Sequence, residues 1–404
     1  MSGTRTYLDW NATAPLRPEA RAAMLAALDS VGNASSPHAE GRRARGLIEA
    51  AREQVAACLA ADPRRVYFTS GATEAANWLL APRAHRAARA EPFAALLVGA
   101  TEHAAVLEGH RFPRERVERI PVDADGSLEW GWLERRLAEL TAQHGPGSVL
   151  VAVQAANNET GVVQSLPRLA EPLAAAGAAL VCDAVQAVAR LPLAASAIGS
   201  GALFFSGHKL GGPQGVGAVV FAGAELVPEP LLRGGGQERR QRSGTENIAA
   251  IAGLAAALGA AISEQAEVAA RSRRLQARFE SGLKRLRSDA VIFGAAQSRL
   301  ANTTYFALPG IAAETALIAL DLAGVAVSSG AACSSGKVAR SHVLEAMRVE
   351  PALAGAALRV SSGRGTSEAE IDACLAALRQ IAEAHAKRKL KGPMPDDRKV
   401  ASLV

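Results

Sequence analysis

The chain has 404 residues, enough for two or three domains with buried cores, and its 49% hydrophobic and 21% charged residues exclude both a disordered chain and a small disulfide scaffold. The formal charge of +6 sits mostly at the end, where Lys387, Arg388, Lys389, Lys391, Arg398 and Lys399 face only Asp396 and Asp397; the body is nearly neutral and offers no basic reading motif for nucleic acid. Cys58, Cys182, Cys333 and Cys374 show neither a CxxC pair nor metal-ligand spacing, and no signal-peptide h-region or 18-residue apolar run occurs, so a reducing, cytoplasmic setting without a membrane is expected.

In chain order, periodicity predicts helices over 18–29 and 43–60, a strand over 66–69, a helix over 74–90 and a strand over 94–98. A helix over 128–143, a strand over 149–154, a helix over 166–176 and strands over 179–182, 202–206 and 216–221 follow. This alternation is that of an α/β domain whose mostly parallel sheet is covered on both faces. Residues 246–287 are almost continuously helix-forming and lead into a smaller α+β unit, with strands at 302–306 and 358–361 and helices at 313–322 and 367–383. The expected division is an N-terminal segment 1–14 packing on the small domain, a large domain 15–260, a small C-terminal domain 261–384 and a basic tail 385–404.

Chemistry-bearing residues fall where strands end. Lysine is scarce, and the first of seven is Lys209, in Ser206-Gly207-His208-Lys209 directly after an apolar strand. Ligands of α/β sheets bind at such ends, and a lysine there can form a Schiff base with pyridoxal phosphate, whereas a lone lysine is by default a solvated loop residue. Thr69-Ser70-Gly71-Ala72-Thr73-Glu74 joins a strand to a helix, which makes either a phosphate-binding turn or a plain N-cap. Asp183 and Gln186 follow another strand; an acid there can pair with a protonated pyridine nitrogen or simply cap a helix. Asn157-Asn158-Glu159-Thr160-Gly161 and His103 close two further strands, the amide able to bond a cofactor's ring oxygen and the imidazole able to stack on a flat ring and exchange protons.

Cys333 stands apart from the other cysteines. It lies in Ser328-Ser329-Gly330-Ala331-Ala332-Cys333-Ser334-Ser335-Gly336, without apolar period, where a reactive thiol is better placed than a packed one; Lys337, Arg340 and His342 nearby could lower its pKa. Cys58, Cys182 and Cys374 read as inert packing. The arginine-rich stretch 233–245 could reach a phosphate or a neighbouring subunit, and Arg359, inside an apolar strand, needs an anion, either a substrate carboxylate or a structural partner.

The order of these motifs resembles the cysteine desulfurases of the NifS and IscS type, in the class V aminotransferase group, from Tyr7-Leu8-Asp9 to Ser361–Arg364. Arg242-Ser243-Gly244-Thr245-Glu246-Asn247 is part of the match. The resemblance implies a pyridoxal 5'-phosphate enzyme of fold type I, a homodimer that moves sulfur from L-cysteine onto Cys333, yields alanine, and passes the sulfur to an iron–sulfur scaffold or tRNA thiolation protein. It casts Lys209 as the Schiff-base lysine, His103 as the stacking and proton-carrying histidine, and Asp183 and Gln186 as partners of the pyridine nitrogen and ring hydroxyl. Ala72, Thr73, Ser206 and His208 would hold the phosphate, joined by Thr245 of the other subunit; Asn158 would contact ring or substrate, and Arg359 the substrate carboxylate. A selenocysteine lyase or aminotransferase of the same group is the alternative. Trp10, Ala75, Ala76 and Gln214 depart from the family pattern and bear on substrate fit.

Overall fold

Runs of Val, Leu, Ala and Phe without polar alternation suit strands buried on both faces, and these runs build one seven-stranded sheet. The structure, a computed structural model, describes residues 5–86, 91–329 and 340–390. In spatial order the strands are Val66–Thr69, Gly217–Phe221, Gly201–Ser206, Ala179–Asp183, Val149–Gln154, Ala95–Gly99 and Val117–Ile120. Gly217–Phe221 alone runs against the others, so the sheet is mostly parallel, as the sequence predicts. Because the other six point one way, Thr69, Gln154, Asp183 and Ser206 all arrive at the same edge. Alternate side chains feed two cores, with Val151, Leu180 and Phe205 on one face and Leu150, Val181 and Phe204 on the other.

A second unit has its own core around Phe279, Phe306, Leu358 and Leu378. Its antiparallel sheet, Val291–Ile292, Thr303–Ala307 and Ala357–Ser361, is packed by Gln265–Leu286, Ala313–Leu322 and Glu368–Leu390. The first described residues return to this unit. Thr6–Tyr7 pairs in parallel with Val325–Ala326, and Asp9 bridges Ser361.

Three helical stretches differ from the sequence reading. The helix expected over 74–90 is Ala72–Leu79; Pro82 cannot continue it, and His85–Arg86 instead pairs with Leu226–Val227. The long helical stretch is two helices, Ile248–Ser263 and Gln265–Leu286, meeting at 68°. At the break Glu264 accepts from Arg17 Nη1 at 3.0 Å, a tertiary contact with no local sequence signal. The last helix runs to Leu390, past the expected start of the basic tail. Among the described residues no single helix is long and apolar enough to cross a membrane.

Candidate active site

The strand ends surround a cavity of about 600 Å³. At its phosphate-turn end, Gly71 is the N-cap of Ala72–Leu79, with φ 156° and ψ −179°, a conformation essentially reserved for glycine. A Cβ on Gly217 would come within 2.9 Å of the Gly71 Cα, so the two backbones touch and the turn lies flat on the sheet. Gly71 has no side chain to cap the helix, which leaves its first-turn amides and dipole facing the cavity. Ala72, Thr73, Ser206 and His208 line this end. His208 bonds Thr13 Oγ1 through Nδ1 at 3.2 Å, and burial, helped by Lys209, pushes its pKa down to about 4, so near neutrality it is an uncharged donor–acceptor.

The short turn Gly207–Lys209 follows Gly201–Ser206 and brings the Lys209 amine to the cavity wall. Lys209 Nζ donates to the carbonyls of Asn11 and Ala12, both at 2.8 Å. Neither acceptor is anionic, and burial with the positive charges of Arg359 and Arg190 lowers the amine to about 8. Asp183 ends the adjacent strand, accepts from Val185 N–H at 2.9 Å, and is raised to about 6 by burial. Gln186 donates to the Asn11 carbonyl at 3.1 Å and is itself bonded by Arg190.

His103 caps Ala104–Leu107, its Nδ1 accepting from Ala105 N–H at 3.1 Å, which leaves Nε2 free for the ring's proton. Surrounding protein and then Lys209 depress its pKa, so it is neutral near pH 7 although its ring is open to the cavity. Arg359 is 4% exposed; Nη2 donates to Asp9 Oδ1 at 2.7 Å and Nη1 to the Asn158 carbonyl at 2.9 Å, while its buried Nε has no partner. It is therefore ion-paired and also on the cavity wall. Asn158 lines the cavity beside it, whereas Asn157 is spent on its own turn, its Oδ1 accepting from Glu159 and Thr160 N–H, each at 2.9 Å.

Ten predicted site residues thus share one cavity. Thr245 is exposed and does not line it. Cys333 lies outside the described residues, as does Lys337; Ser328 is on the cavity wall, and His342 bonds the carbonyl of Glu102. Burial raises the thiols of Cys182 and Cys374, the latter to about 12, and raises Cys58, in keeping with inert packing. Of the four departures only Gln214 touches the cavity. Ala75 and Ala76 are in the core, and Trp10 covers Gly363, where a Cβ would meet its ring at 2.0 Å.

Sequence reasoning missed Asn11 and Ala12, whose contribution is carbonyl oxygen, and Arg190, which holds Gln186 and the Lys209 carbonyl. It also missed how the arginine-rich stretch is held. Arg242 pairs with Glu74 through Nε at 2.9 Å, and Glu74 accepts from Ser70 N–H, so the stretch braces the phosphate turn from outside. Glu238, Arg239 and Arg240 are consecutive non-glycine residues with φ of 44°, 53° and 66°, strained backbone held by the buried bidentate pair of Arg52 and Glu238.

The residues present fit pyridoxal phosphate. A buried acid without a fixed cation awaits a ring N–H, an amine of lowered pKa awaits an aldehyde, and a glycine-built helix start awaits a phosphate. A sequence model described as aminotransferase class-V matches residues 6–374. The IscS-like cysteine desulfurase of Mycobacterium tuberculosis is 40% identical over 380 residues, covering 92% of this chain and 95% of that protein. The structure of a NifS-like protein from Rickettsia africae ESF-5 superposes with a TM-score of 0.82 at 30% identity, over 94% of this chain and 99% of that one. SspA in complex with cysteine matches at a TM-score of 0.72 and 26% identity, over 88% of this chain and 98% of that one.

Proposed function

Since the chain belongs to the aminotransferase class-V family, we propose that it is a cysteine desulfurase, taking sulfur from L-cysteine onto Cys333. The carrying observation is the Lys209 amine, half-buried and held at about 8, in one cavity with Asp183, His103 and Arg359. Pyridoxal phosphate supplies an electron sink for charge developing at the substrate Cα. Lys209 anchors its aldehyde carbon, Asp183 and Gln186 hold the ring nitrogen and hydroxyl, and Ala72, Thr73, Ser206 and His208 hold the phosphate, joined by Thr245 of a second copy in a homodimer. Arg359, on the cavity wall beside Asn158, binds the substrate carboxylate.

Lys209 Nζ, neutral in a large fraction near pH 8, takes the Cα proton, and His103 moves the thiol proton. The Cys333 thiolate attacks the substrate sulfur: the C–S bond breaks, an S–S bond forms, and L-cysteine plus enzyme thiol become L-alanine plus enzyme persulfide. SspA, which was solved with cysteine, shares this fold, and that supports the substrate assignment. The sulfur then passes to an acceptor protein of an iron–sulfur or thiolation pathway in the cytoplasm. In this reading 15–260 is the cofactor domain, 261–384 the small domain, 1–14 a segment on the latter and 385–404 a tail.

The test is incubation of the purified protein with pyridoxal phosphate and L-cysteine, measuring alanine and the mass of the Cys333 peptide. Lys209→Ala should abolish the bound cofactor's visible band. Cys333→Ser should keep that band and lose sulfide release; full sulfide release by Cys333→Ser rejects the thiol assignment.

A further inference from the structure

Behind the Arg359 strand lies a buried polar cluster that the proposed chemistry leaves unused. Glu159 is 2% exposed, Tyr305 is fully buried, and neither lines the cavity. Glu159 Oε2 accepts from Ser341 Oγ at 2.5 Å, and the Tyr305 hydroxyl donates to the Ser329 carbonyl at 2.9 Å. These two serines flank the stretch that contains Cys333. Their neighbours are tied down as well. Ser328 exchanges both backbone bonds with Arg359, at 2.6 and 3.2 Å, and His342 Nε2 bonds the Glu102 carbonyl at 2.8 Å, next to His103. The described residues on either side of this stretch are therefore held beside Arg359, on the cavity wall, and beside Glu102, the neighbour of His103.

Packing does not require this cluster. A carboxyl and a phenol buried away from water are costly unless bonded, and apolar residues would fill the same space without that cost. What the pair adds is a fixed position for two backbone points. A tethered nucleophile's effective concentration depends on where its tether is held.

We propose that Glu159 and Tyr305 are positioning residues for sulfur transfer, fixing through Ser341 and Ser329 the two points from which Cys333 reaches the substrate. The proposal rests on Cys333 as sulfur acceptor. The two anchors act unequally. Cys333 is four residues from Ser329, a reach of at most about 14 Å, and eight residues from Ser341, about twice that. The Tyr305 anchor is the tighter constraint.

The experiment uses the holoenzyme. Tyr305→Phe removes one hydroxyl and leaves the ring in the core. Its rate of persulfide formation on Cys333 should fall about tenfold, the loss expected for one buried hydrogen bond, while cofactor absorbance and the rapid spectral change on adding L-cysteine stay as in the parent protein. Glu159→Gln should fall about threefold, again with the spectra unmoved, and it carries the same test should Tyr305→Phe fail to fold. A persulfide rate within twofold of the parent overturns the proposal, and so does a loss of cofactor absorbance in step with the rate, the mark of a merely structural role. Cys333→Ser run alongside separates the two layers. If it still releases sulfide at the parent rate, the acceptor assignment falls and this proposal with it; if it is inactive while both cluster variants are normal, only the positioning role falls.

Discussion

Asp183 offers a test that needs no turnover. In the folded chain its carboxyl titrates at about 6 instead of 3.8, because burial penalises the anion and the single bond from Val185 N–H, with the more distant Lys209, offsets only part of that. Between those values the folded protein keeps a proton that the unfolded chain gives up. The group therefore weakens folding progressively as pH rises through that window, and above about 6 the full penalty, about 3 kcal/mol, is present. Asp183→Asn keeps the acceptor for Val185 and removes the charge. With the cofactor stripped, the variant should match the parent near pH 4 and exceed it by about 3 kcal/mol at pH 7, read from urea unfolding at a series of pH values. Carboxylates away from Asp183 shift both proteins alike and cancel in the difference; the buried Glu102, whose carboxyl Asp183 pushes further up, changes with the substitution. The same variant should retain pyridoxal phosphate more weakly, since the acid that opposes folding is the one meant to meet the ring nitrogen. A stability difference flat across pH, or an asparagine variant less stable at pH 7, refutes the reasoning.

The Lys209 amine is held at about 8 rather than 10.5, so below pH 8 it is mostly ammonium and cannot attack an aldehyde. The initial rate of pyridoxal phosphate uptake by the stripped protein should rise with a midpoint near pH 8, and a midpoint at 10 or above contradicts the environment described for that amine. Arg52→Met leaves Glu238 buried without its partner and should cost about 3–5 kcal/mol in denaturant unfolding. A loss under 1 kcal/mol would mean that the strained backbone at 238–240 does not depend on this pair.

Much of the site is legible in the sequence because a parallel sheet sends the ends of its strands to one place. Thr69, Gln154, Asp183 and Ser206 each close an apolar run, so the motifs just after them, far apart in sequence, converge. What stays hidden is whatever acts through backbone oxygen or long-range pairing. The carbonyls of Asn11 and Ala12 bind Lys209 across nearly 200 residues with no side-chain signature. Arg359 shows the limit of reading one residue at a time, since the sequence offers substrate or structural anion as alternatives and the structure both pairs it with Asp9 and sets it in the cavity wall. The helix expected over 74–90 fails for a local reason, Pro82, that alanine-rich periodicity masks. The bend at Glu264 has no such marker; only the position of Arg17 reveals it.

The stitching of Asp9 to Ser361 and Arg359 has a temporal consequence. A ribosome delivers the lysine-bearing sheet long before the strand that secures its two carbonyl acceptors, so a nascent chain carries the reactive amine with its wall unfinished. A fragment ending before residue 361, however well its large sheet forms, lacks the strand that holds Asp9 and Asn11 in place beside the amine.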